Sequence, residues 1–456
     1  MMQIPFSFDA MLLFGIMSIM LLIGIFLRAK ISFFQNFLIP GCLIGGILGL
    51  ILVHSGLFRV SAGDLETLAY HFFNISFISV GLTPGSHLRR QNRIGNKEFL
   101  RGPLWMALSQ TFCFALQAVV GGAIVMVFGL IGLKLFPTFG FLSPLGFEEG
   151  PGQALSIGKV WETAGFQYAA TIGLTFAAVG YFFAFFIGVP LVNWGVRKGM
   201  ARYGTEKLPQ DLLTGLLAKN QQPESAGFLR MHSANADTLA FQAALVGLVY
   251  ILTYGLIRMM GTFFAPDVAA MLWGFFFFGG LMIALAVRFL MGRLGIDYLV
   301  DPGIQRRITG WSIDFLIVCT VMAVQLQVVW QYFWPVTAIA LTSGVSTTAA
   351  VIFLGKRIWS YNLERLVAVY GTVTGTVSCG LLLLRIVDPD FSTPVAIEIG
   401  IVSALMLIPL PGMLVLVNAN VWWGWSIPMI VGCFLAIMIL SLIAIRAFGM
   451  WEKPRF

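Results

Sequence analysis

Charged residues are scarce in this chain. Only 11% of its 456 residues are charged and 58% are hydrophobic, whereas a soluble domain carries about 25% charged residues. This shortage excludes a soluble globular protein and indicates an integral membrane protein. The four histidines are scattered, and no nucleophile motif or nucleotide-binding loop is present. We therefore expect no enzyme active site.

Cysteine is also rare. The five cysteines all lie within apolar stretches and lack CxxC spacing, so neither a disulfide framework nor a zinc site is indicated. The net charge of +8 comes from basic residues between apolar segments, so it reports membrane topology rather than a nucleic-acid partner. The first apolar run, residues 8–27, lacks a small-x-small cleavage pattern, and we expect it to remain as a spanning helix.

Long apolar segments fill most of the chain. A helix rises 1.5 Å per residue, so about 20 apolar residues cross the roughly 30 Å hydrocarbon layer. The first half offers helices near residues 8–27, 37–53, 66–82, 103–133 and 168–196. The second half offers helices near residues 239–260, 268–291, 311–330, 334–354 and 395–417, and a further helix follows near 423–446. The fourth helix is too long for a simple span, and Gln110, Gln117 and Gly121-Gly122 predict that it tilts or breaks.

One extended polar segment separates the two halves. Residues 198–237 are rich in charged side chains and contain few bulky apolar residues. We therefore predict a first repeat over residues 1–197, a cytoplasmic polar loop over 198–237, a second repeat over 238–419 and an additional C-terminal helix within 420–456.

The distribution of basic residues predicts the orientation. Five helices per half require that the halves insert with opposite orientations, and placing the N-terminus outside puts most of the 28 Lys and Arg residues on the cytoplasmic side. The exceptions are Arg59, Lys134, Lys159, Arg258 and Arg385. The sequence thus predicts an all-α polytopic membrane protein of about eleven spanning helices. Its two five-helix repeats are inverted, its N-terminus is outside, and its C-terminus is cytoplasmic.

A glycine-rich interruption lies between the fourth and fifth helices of each half. The first, near 140–165, contains adjacent Glu148 and Glu149; the second, near 364–391, is centred on residues 371–380. Non-helical backbone at membrane depth is tolerated only where protein buries it or where it lines a watery cavity. Paired broken segments in inverted repeats point to a midplane binding site. We interpret both as re-entrant hairpins, the first entered from outside and the second from the cytoplasm. The alternative is a pair of ordinary glycine-rich turns.

The two tips supply the candidate binding residues. Pro151 fits the first helical position after a Gly150 cap, and Thr374 is expected to cap the next helix in the second hairpin, so exposed amides at both starts offer an anion site. Intramembrane carboxylates are costly and usually functional. Glu148 and Glu149 are therefore candidates for binding Na⁺, a proton or a substrate ammonium; alternatively, they only complement the next helix dipole or lie in water at the hairpin mouth. The predicted substrate and ion ligands are Glu148, Glu149, Gly150, Gly152, Gln153, Thr374, Gly375, Thr376, Ser378, Asn74 and Glu398. Within this set, Na⁺ is assigned to Glu149, Thr374 and Thr376.

These features resemble the bacterial sodium/glutamate symporter family. The likeness includes Ile39-Pro40 with Gly45-Gly46 in the second helix, Val80-Gly81-Leu82 closing the third, and both glycine-rich hairpins. It implies ten helices in two inverted halves, a homodimer in the bacterial inner membrane, and Na⁺ as the coupling ion with no other cofactor. The chain departs from the family pattern at the first tip, where Glu149-Gly150-Pro151-Gly152-Gln153 stands in place of Gly-Gly-His-Gly-Thr. At the second tip, Thr374-Gly375-Thr376 replaces a glycine-rich run.

We expect secondary active transport by alternating access, as Na⁺-coupled symport of glutamate or a related small carboxylate. An anion entering against about 100 mV costs roughly 2.3 kcal/mol, so one Na⁺ cancels its charge and at least two make uptake electrogenic. The acidic first tip leaves two alternatives open: proton coupling, and transport of a different amino acid or organic ion. A third alternative is an ion channel, because inverted repeats with broken helices also build pores.

Overall fold

The computed structural model describes residues 8–57, 60–84, 96–203, 209–217, 219, 225–232, 234–264, 269–270, 272–389 and 392–454. All regular elements in these ranges are helices, so the predicted all-α fold class is confirmed. The first-half helices are α1 (Asp9–Lys30), α2 (Ser32–Asn36), α3 (Gly41–His54), α4 (Ala62–Leu82), α5 (Asn96–Leu130), α6 (Leu142–Phe147), α7 (Pro151–Thr163), α8 (Ala169–Phe182), α9 (Gly188–Arg197) and α10 (Gln210–Thr214). The second-half helices are α11 (Thr238–Gly261), α12 (Phe276–Arg293), α13 (Pro302–Met322), α14 (Leu326–Gln331), α15 (Phe333–Gly355), α16 (Asn362–Thr374), α17 (Val377–Val387), α18 (Val395–Leu405), α19 (Pro409–Trp423) and α20 (Ile427–Ala447).

The described residues contain seven helical segments that are long and apolar enough to cross a membrane, which confirms a polytopic membrane protein. They are Asp9–Lys30, Leu100–Leu130, Ala169–Arg197, Thr238–Gly261, Trp273–Arg293, Phe333–Gly355 and Ile427–Ala447. The pair α18 and α19 makes an eighth if it crosses as one span. Three further helices, α3, α4 and α13, lie near predicted spans but are shorter or more polar. The total of about eleven therefore stays a prediction.

The helix predicted near 395–417 is bent by 53° between α18 and α19. Pro409 is the first residue of α19 and Pro411 follows it closely. Proline lacks the amide hydrogen and clashes with the preceding turn, so it ends or kinks a helix at this point. The bend is therefore explained by local chemistry.

Helix α5 does not break. It runs continuously from Asn96 to Leu130, although Gln110, Gln117 and the glycine pair lie within it. The two glycines serve close packing instead, because a Cβ on Gly121 would overlap the carbonyl of Gly140, and one on Gly122 would lie 2.5 Å from Val431 Cγ2. Of the two predicted alternatives, the break is wrong, because small residues at a helix contact mimic the composition of a kink. The tilt stays a prediction.

Helix α13 begins at Pro302, well before the predicted start near residue 311. Asp301 is its N-cap, and its Oδ1 accepts the amide hydrogen of Ile304 at 2.9 Å. Proline at the first helical position completes a favourable start. The polar first turns resemble a loop in sequence, yet Gln305 is fully buried and its amide donates to Gln242 Oε1 at 3.0 Å.

The chain packs as two compact units, each built from both halves. The first unit comprises Met1–Ser86, Leu155–Thr163 and Gln210–Leu326, and it contains α1, α3, α4, α11, α12 and α13. The second unit comprises His87–Ala154, Ala164–Pro209 and Gln327–Phe456, and it contains α5, α6, α8, α9 and α15 to α20. Helix α7 contributes its first turn to the second unit and its remainder to the first.

Packing inside the first unit follows the same scheme in both halves. Helix α3 packs against α1 and α13, and α12 packs correspondingly against α11 and α4. Glycines make the equivalent contacts: a Cβ on Gly46 of α3 would lie 2.8 Å from Val321 Cβ, and one on Gly280 of α12 would lie 2.8 Å from Ile78 Cγ1. Small residues let helix backbones approach closely where no hydrophobic drive exists between helices in lipid.

Candidate functional site

Both predicted interruptions are short non-helical breaks between two helices. Helix α6 ends at Phe147, residues 148–150 are not helical, and α7 begins at Pro151. Helix α16 ends at Thr374, Gly375 and Thr376 interrupt it, and α17 begins at Val377. We call residues 148–153 the first tip and residues 374–378 the second tip.

The two tips contact each other within the second unit. A Cβ on Gly150 would lie 3.0 Å from Thr376 Cγ2 and 3.5 Å from the Gly375 carbonyl oxygen. Helix α8 contacts the second tip and the last residue of α6 at Gly180, where a Cβ would lie 2.5 Å from the Thr374 oxygen and 3.3 Å from Phe147 Cα. The two tips, which are distant in sequence, therefore lie next to each other in the second unit.

Local chemistry explains the shape of the first tip. Gly150 has φ +84°, a left-handed conformation that glycine adopts at little cost. Pro151 then occupies the first helical position, as predicted, because its fixed φ suits a helix start and its missing amide hydrogen would have no partner there. Gly150 and Pro151 together therefore determine where the break ends and α7 begins.

The second tip differs from its prediction. Thr376, with extended backbone at φ −156°, is the residue before α17, whereas Thr374 is the last residue of α16. The Thr374 hydroxyl donates to the Tyr370 carbonyl one turn back at 2.7 Å. The prediction that Thr374 caps the following helix is therefore wrong, because its hydroxyl is satisfied within its own helix.

Two side chains of the first tip are buried without partners. Glu148 is 6% exposed and neither carboxylate oxygen has a hydrogen-bond partner among the described residues. Gln153 is fully buried, and within the same ranges both ends of its amide lack partners. A buried polar group left unpaired costs about 1–3 kcal/mol, and a charged one more. A bound cation and a polar substrate are the ligands that would satisfy them.

Gln117 of α5 is a further candidate residue, which the sequence predicts only as a helix distortion. Its side-chain nitrogen donates to the Val373 carbonyl at 3.0 Å and to Thr347 Oγ1 at 3.1 Å, so it reaches the last turn before the second tip. Its amide oxygen has no partner in the described part of the chain. The signal in the sequence is a side-chain amide within an otherwise apolar helix. Such a group indicates a functional site as readily as a kink.

Hydroxyl groups of α15 connect it to α5 and to α6 and α16, the two helices that lead into the tips. Ser343 Oγ accepts a hydrogen bond from Ser143 Oγ of α6 at 2.9 Å, and Thr347 accepts from Gln117. Thr348 Oγ1 lies 3.1 Å from the Tyr370 hydroxyl of α16. These hydrogen bonds between helices position α6 and α16, which lead into the two tips, inside the second unit.

Glu398 does not join the tips. Its two carboxylate oxygens accept from Arg365 Nε at 2.8 Å and Nη2 at 2.6 Å, and both side chains are almost fully buried. The remaining guanidinium nitrogen donates to the Ser360 carbonyl and hydroxyl at 2.9 and 3.0 Å. The Glu398 charge is thus already neutralised near the start of α16.

The other predicted residues divide between the two units. Glu149 is half-buried and Gly152 is buried at the first tip, while Ser378 is exposed in the first turn of α17. Asn74 is fully buried in α4 of the first unit, where it interacts with the Tyr70 and Tyr250 hydroxyl groups. The second unit therefore brings together the predicted residues of both tips, without Asn74 and with Glu398 elsewhere.

The described residues contain no group of three or more His, Cys, Asp or Glu side chains that would hold a metal ion. A transported Na⁺ does not require such a group, because unwound carbonyls and helix C-terminal ends coordinate Na⁺ in transporters with broken helices. The second tip offers this kind of oxygen where α16 ends, and its Gly375 carbonyl lies near Gly150 of the first tip.

Comparison with known proteins agrees with this architecture. Residues 6–380 match the family model described as sodium/glutamate symporter, a range that includes both tips. No curated protein matches the chain significantly. The family couples glutamate uptake to Na⁺, so the predicted resemblance, the symport function and Na⁺ as coupling ion are confirmed at the level of the family. This multi-pass membrane protein belongs to the sodium/glutamate symporter family.

Proposed function

We propose that the two contacting tips are the binding site for Na⁺-coupled glutamate symport, and that the site is exposed to each side of the membrane in turn. One observation carries the proposal. Glu148 and Gln153 are buried without a hydrogen-bond partner among the described residues, and they lie where the chain breaks and the tips contact each other. A transporter must keep such groups ready for a ligand that leaves again.

The charges at the tips suit both transported species. Helices α7 and α17 begin at the tips, and their first amide groups carry partial positive charge that favours the glutamate carboxylates. The Gln153 amide donates and accepts hydrogen bonds with the same substrate. Glu148 is the anionic ligand for Na⁺ or the substrate ammonium, and Glu149, Thr374 and Thr376 supply further oxygens. The Thr374 hydroxyl oxygen keeps acceptor capacity while it donates to Tyr370.

Alternating access is the mechanism that the repeat arrangement favours. Each compact unit takes its helices from both halves, and the glycine contacts of α3 and α12 are equivalent. This pattern supports two inverted repeats over residues 1–197 and 238–419, each with one re-entrant hairpin. The second unit then carries the whole site. The orientation with the N-terminus outside, the bacterial inner membrane and the homodimer remain part of the proposal.

Uptake of labelled glutamate into proteoliposomes tests the site. We expect uptake to require an inward Na⁺ gradient, with at least two Na⁺ per glutamate because a negative potential of about 100 mV then assists entry. Glu148→Gln should raise the half-saturating Na⁺ concentration by about tenfold, which corresponds to about 1.4 kcal/mol. Glu162→Gln is the matched control, since Glu162 lies on α7 and pairs with Lys159 in the first unit. Unchanged Na⁺ dependence in the Glu148 variant would contradict the proposed site.

Proton coupling is the rival that the same measurement distinguishes. A buried carboxylate such as Glu148 also exchanges protons. Uptake that persists without Na⁺ and stops when a pH gradient is collapsed would assign the coupling to protons. Currents without saturation or counterflow would instead indicate a channel.

A further inference from the structure

A cleft lined by cations lies where the residues after α20, which are beyond the range of the family match, meet the end of α15. It has a volume of about 450 Å³, and its lining includes Arg357, Arg446, Trp451 and Lys453. A neighbouring lobe of about 460 Å³ shares Arg357 and adds Lys356. We call both lobes together the C-terminal cleft.

The tail that forms one wall of the C-terminal cleft is fixed in place. Met450 is fully buried, and the Gly449 carbonyl accepts from Arg101 Nη2 at 2.5 Å. The Glu452 amide donates to the Arg357 carbonyl at 2.8 Å. Residues 448–454 therefore hold a defined shape against the end of α15.

Two guanidinium groups share one indole ring in this cleft. The Arg446 guanidinium carbon lies 4.6 Å from the Trp451 ring centre and that of Arg357 lies 5.2 Å from it. Arg357 also lies 3.8 Å above the Phe353 ring. Neither arginine has a carboxylate partner in the part of the chain that the structure describes. Glu452 is the acidic residue of the lining, so cations outnumber it.

The position of the cleft indicates which anion would bind there. The membrane-spanning helices α15 and α20 both end at the cleft, so it lies where a span meets the lipid headgroups. Tryptophan and basic residues are enriched at this level, and basic pockets between spanning helices bind anionic headgroups. Isolated snorkelling side chains would explain scattered cations. They would not explain an anchored tail that holds two arginines on one ring.

We propose that the C-terminal cleft binds the phosphate of an anionic phospholipid headgroup. The guanidinium groups of Arg357 and Arg446 donate to the phosphate oxygens, a geometry that arginine suits better than lysine. Lys453 adds a further charge, and the exposed apolar faces of α15 and α20 accommodate the acyl chains. The site is independent of the tips and of the coupling ion.

Thermal unfolding of the purified full-length protein in detergent tests this proposal. Phosphatidylglycerol should raise the midpoint more than phosphatidylcholine, and the concentration dependence yields its Kd. The double variant Arg446→Gln/Lys453→Gln should weaken phosphatidylglycerol binding by about 30-fold, since each basic group near a membrane surface contributes about 1 kcal/mol. Arg258→Gln/Arg293→Gln removes the same charge from α11 and α12 and should leave the Kd unchanged.

Three results would overturn the proposal. The first is equal stabilisation by both lipids, and the second is an equal loss in both double variants. The third is equal stabilisation by inorganic phosphate or glycerol phosphate at the same concentration, which would assign the cleft to a free anion. If the Arg446/Lys453 variant does not fold, a photoreactive phosphatidylglycerol on the wild-type protein replaces it. Crosslinks within residues 446–454 support the proposal, and crosslinks confined to other peptides contradict it.

Discussion

Two buried glutamates of the second unit differ in whether their carboxyl groups have hydrogen-bond partners. Both oxygens of Glu398 are held by Arg365, which is itself bonded to Ser360. Neither oxygen of Glu148 has a partner among the described residues. A buried carboxyl group with both oxygens hydrogen-bonded stabilises a structure, whereas a buried carboxyl group without a partner is costly, and we propose that it is kept for a ligand. The contrast separates the ion pair that holds α16 and α18 together from the proposed ligand site at the first tip.

The largest effect is expected from breaking the ion pair between Arg365 and Glu398. Arg365→Leu leaves Glu398 buried without its partner, so the free energy of unfolding should fall by about 3–5 kcal/mol. Unfolding of purified protein in detergent measures this change. Adding Glu398→Leu to that variant should recover most of the loss, since an apolar pair replaces an ion pair at little cost. Equal stability of Arg365→Leu and wild type would show that the ion pair does not hold this region together.

The next effect concerns the geometry of the tips. Gly150→Ala should destabilise the protein by about 1–2 kcal/mol, because alanine is strained at positive φ, and should lower transport further because its Cβ would press on Thr376. Gly165→Ala is the matched control, since Gly165 has φ +96° and open space around its Cβ position. Comparison of uptake at equal amounts of folded protein separates strain from contact. Equal uptake by the two variants would argue against the tip contact as part of the site.

The smallest effect is expected where a hydrogen bond only orients the second tip. Thr347→Val removes the acceptor for Gln117 and keeps the side-chain volume, while Gln117 retains its bond to the Val373 carbonyl. We expect a loss of about 1 kcal/mol in unfolding free energy and a modest reduction in glutamate affinity. Ser346→Ala is a suitable control, because the Ser346 hydroxyl bonds within its own helix. A larger loss of unfolding free energy in the control than in Thr347→Val would show that the Thr347 hydroxyl does not orient the second tip.

Local rules explain which features the sequence could predict. The start of α7 follows from Gly150-Pro151, because turn and helix-start preferences act over neighbouring residues. The predicted cap at Thr374 is wrong, because the sequence does not reveal that its hydroxyl donates to the Tyr370 carbonyl within α16. The start of α13 was missed because its polar first turns are buried by contacts that form only on folding.

The candidate site was predictable in its location but not in its partners. The acidic, glycine-rich composition of the first tip is enough to identify Glu148 and Gln153 as candidate ligands. Composition does not reveal that Arg365 meets Glu398, because the two residues lie on α16 and α18 and pair only through tertiary packing. For the same reason, the sequence predicts Gln117 as a helix distortion rather than as a group that bonds to the last turn of α16.

The most direct test of the unpartnered Glu148 is Na⁺ titration of purified protein, read as thermal stabilisation. A bound ion stabilises the folded state by RT ln(1 + [L]/Kd). We predict that Na⁺ stabilises wild-type protein and Glu162→Gln alike, and that Glu148→Gln loses most of this stabilisation without becoming less stable in the absence of Na⁺. If Glu148→Gln keeps the full response to Na⁺, the central claim that its carboxylate is an ion ligand is contradicted.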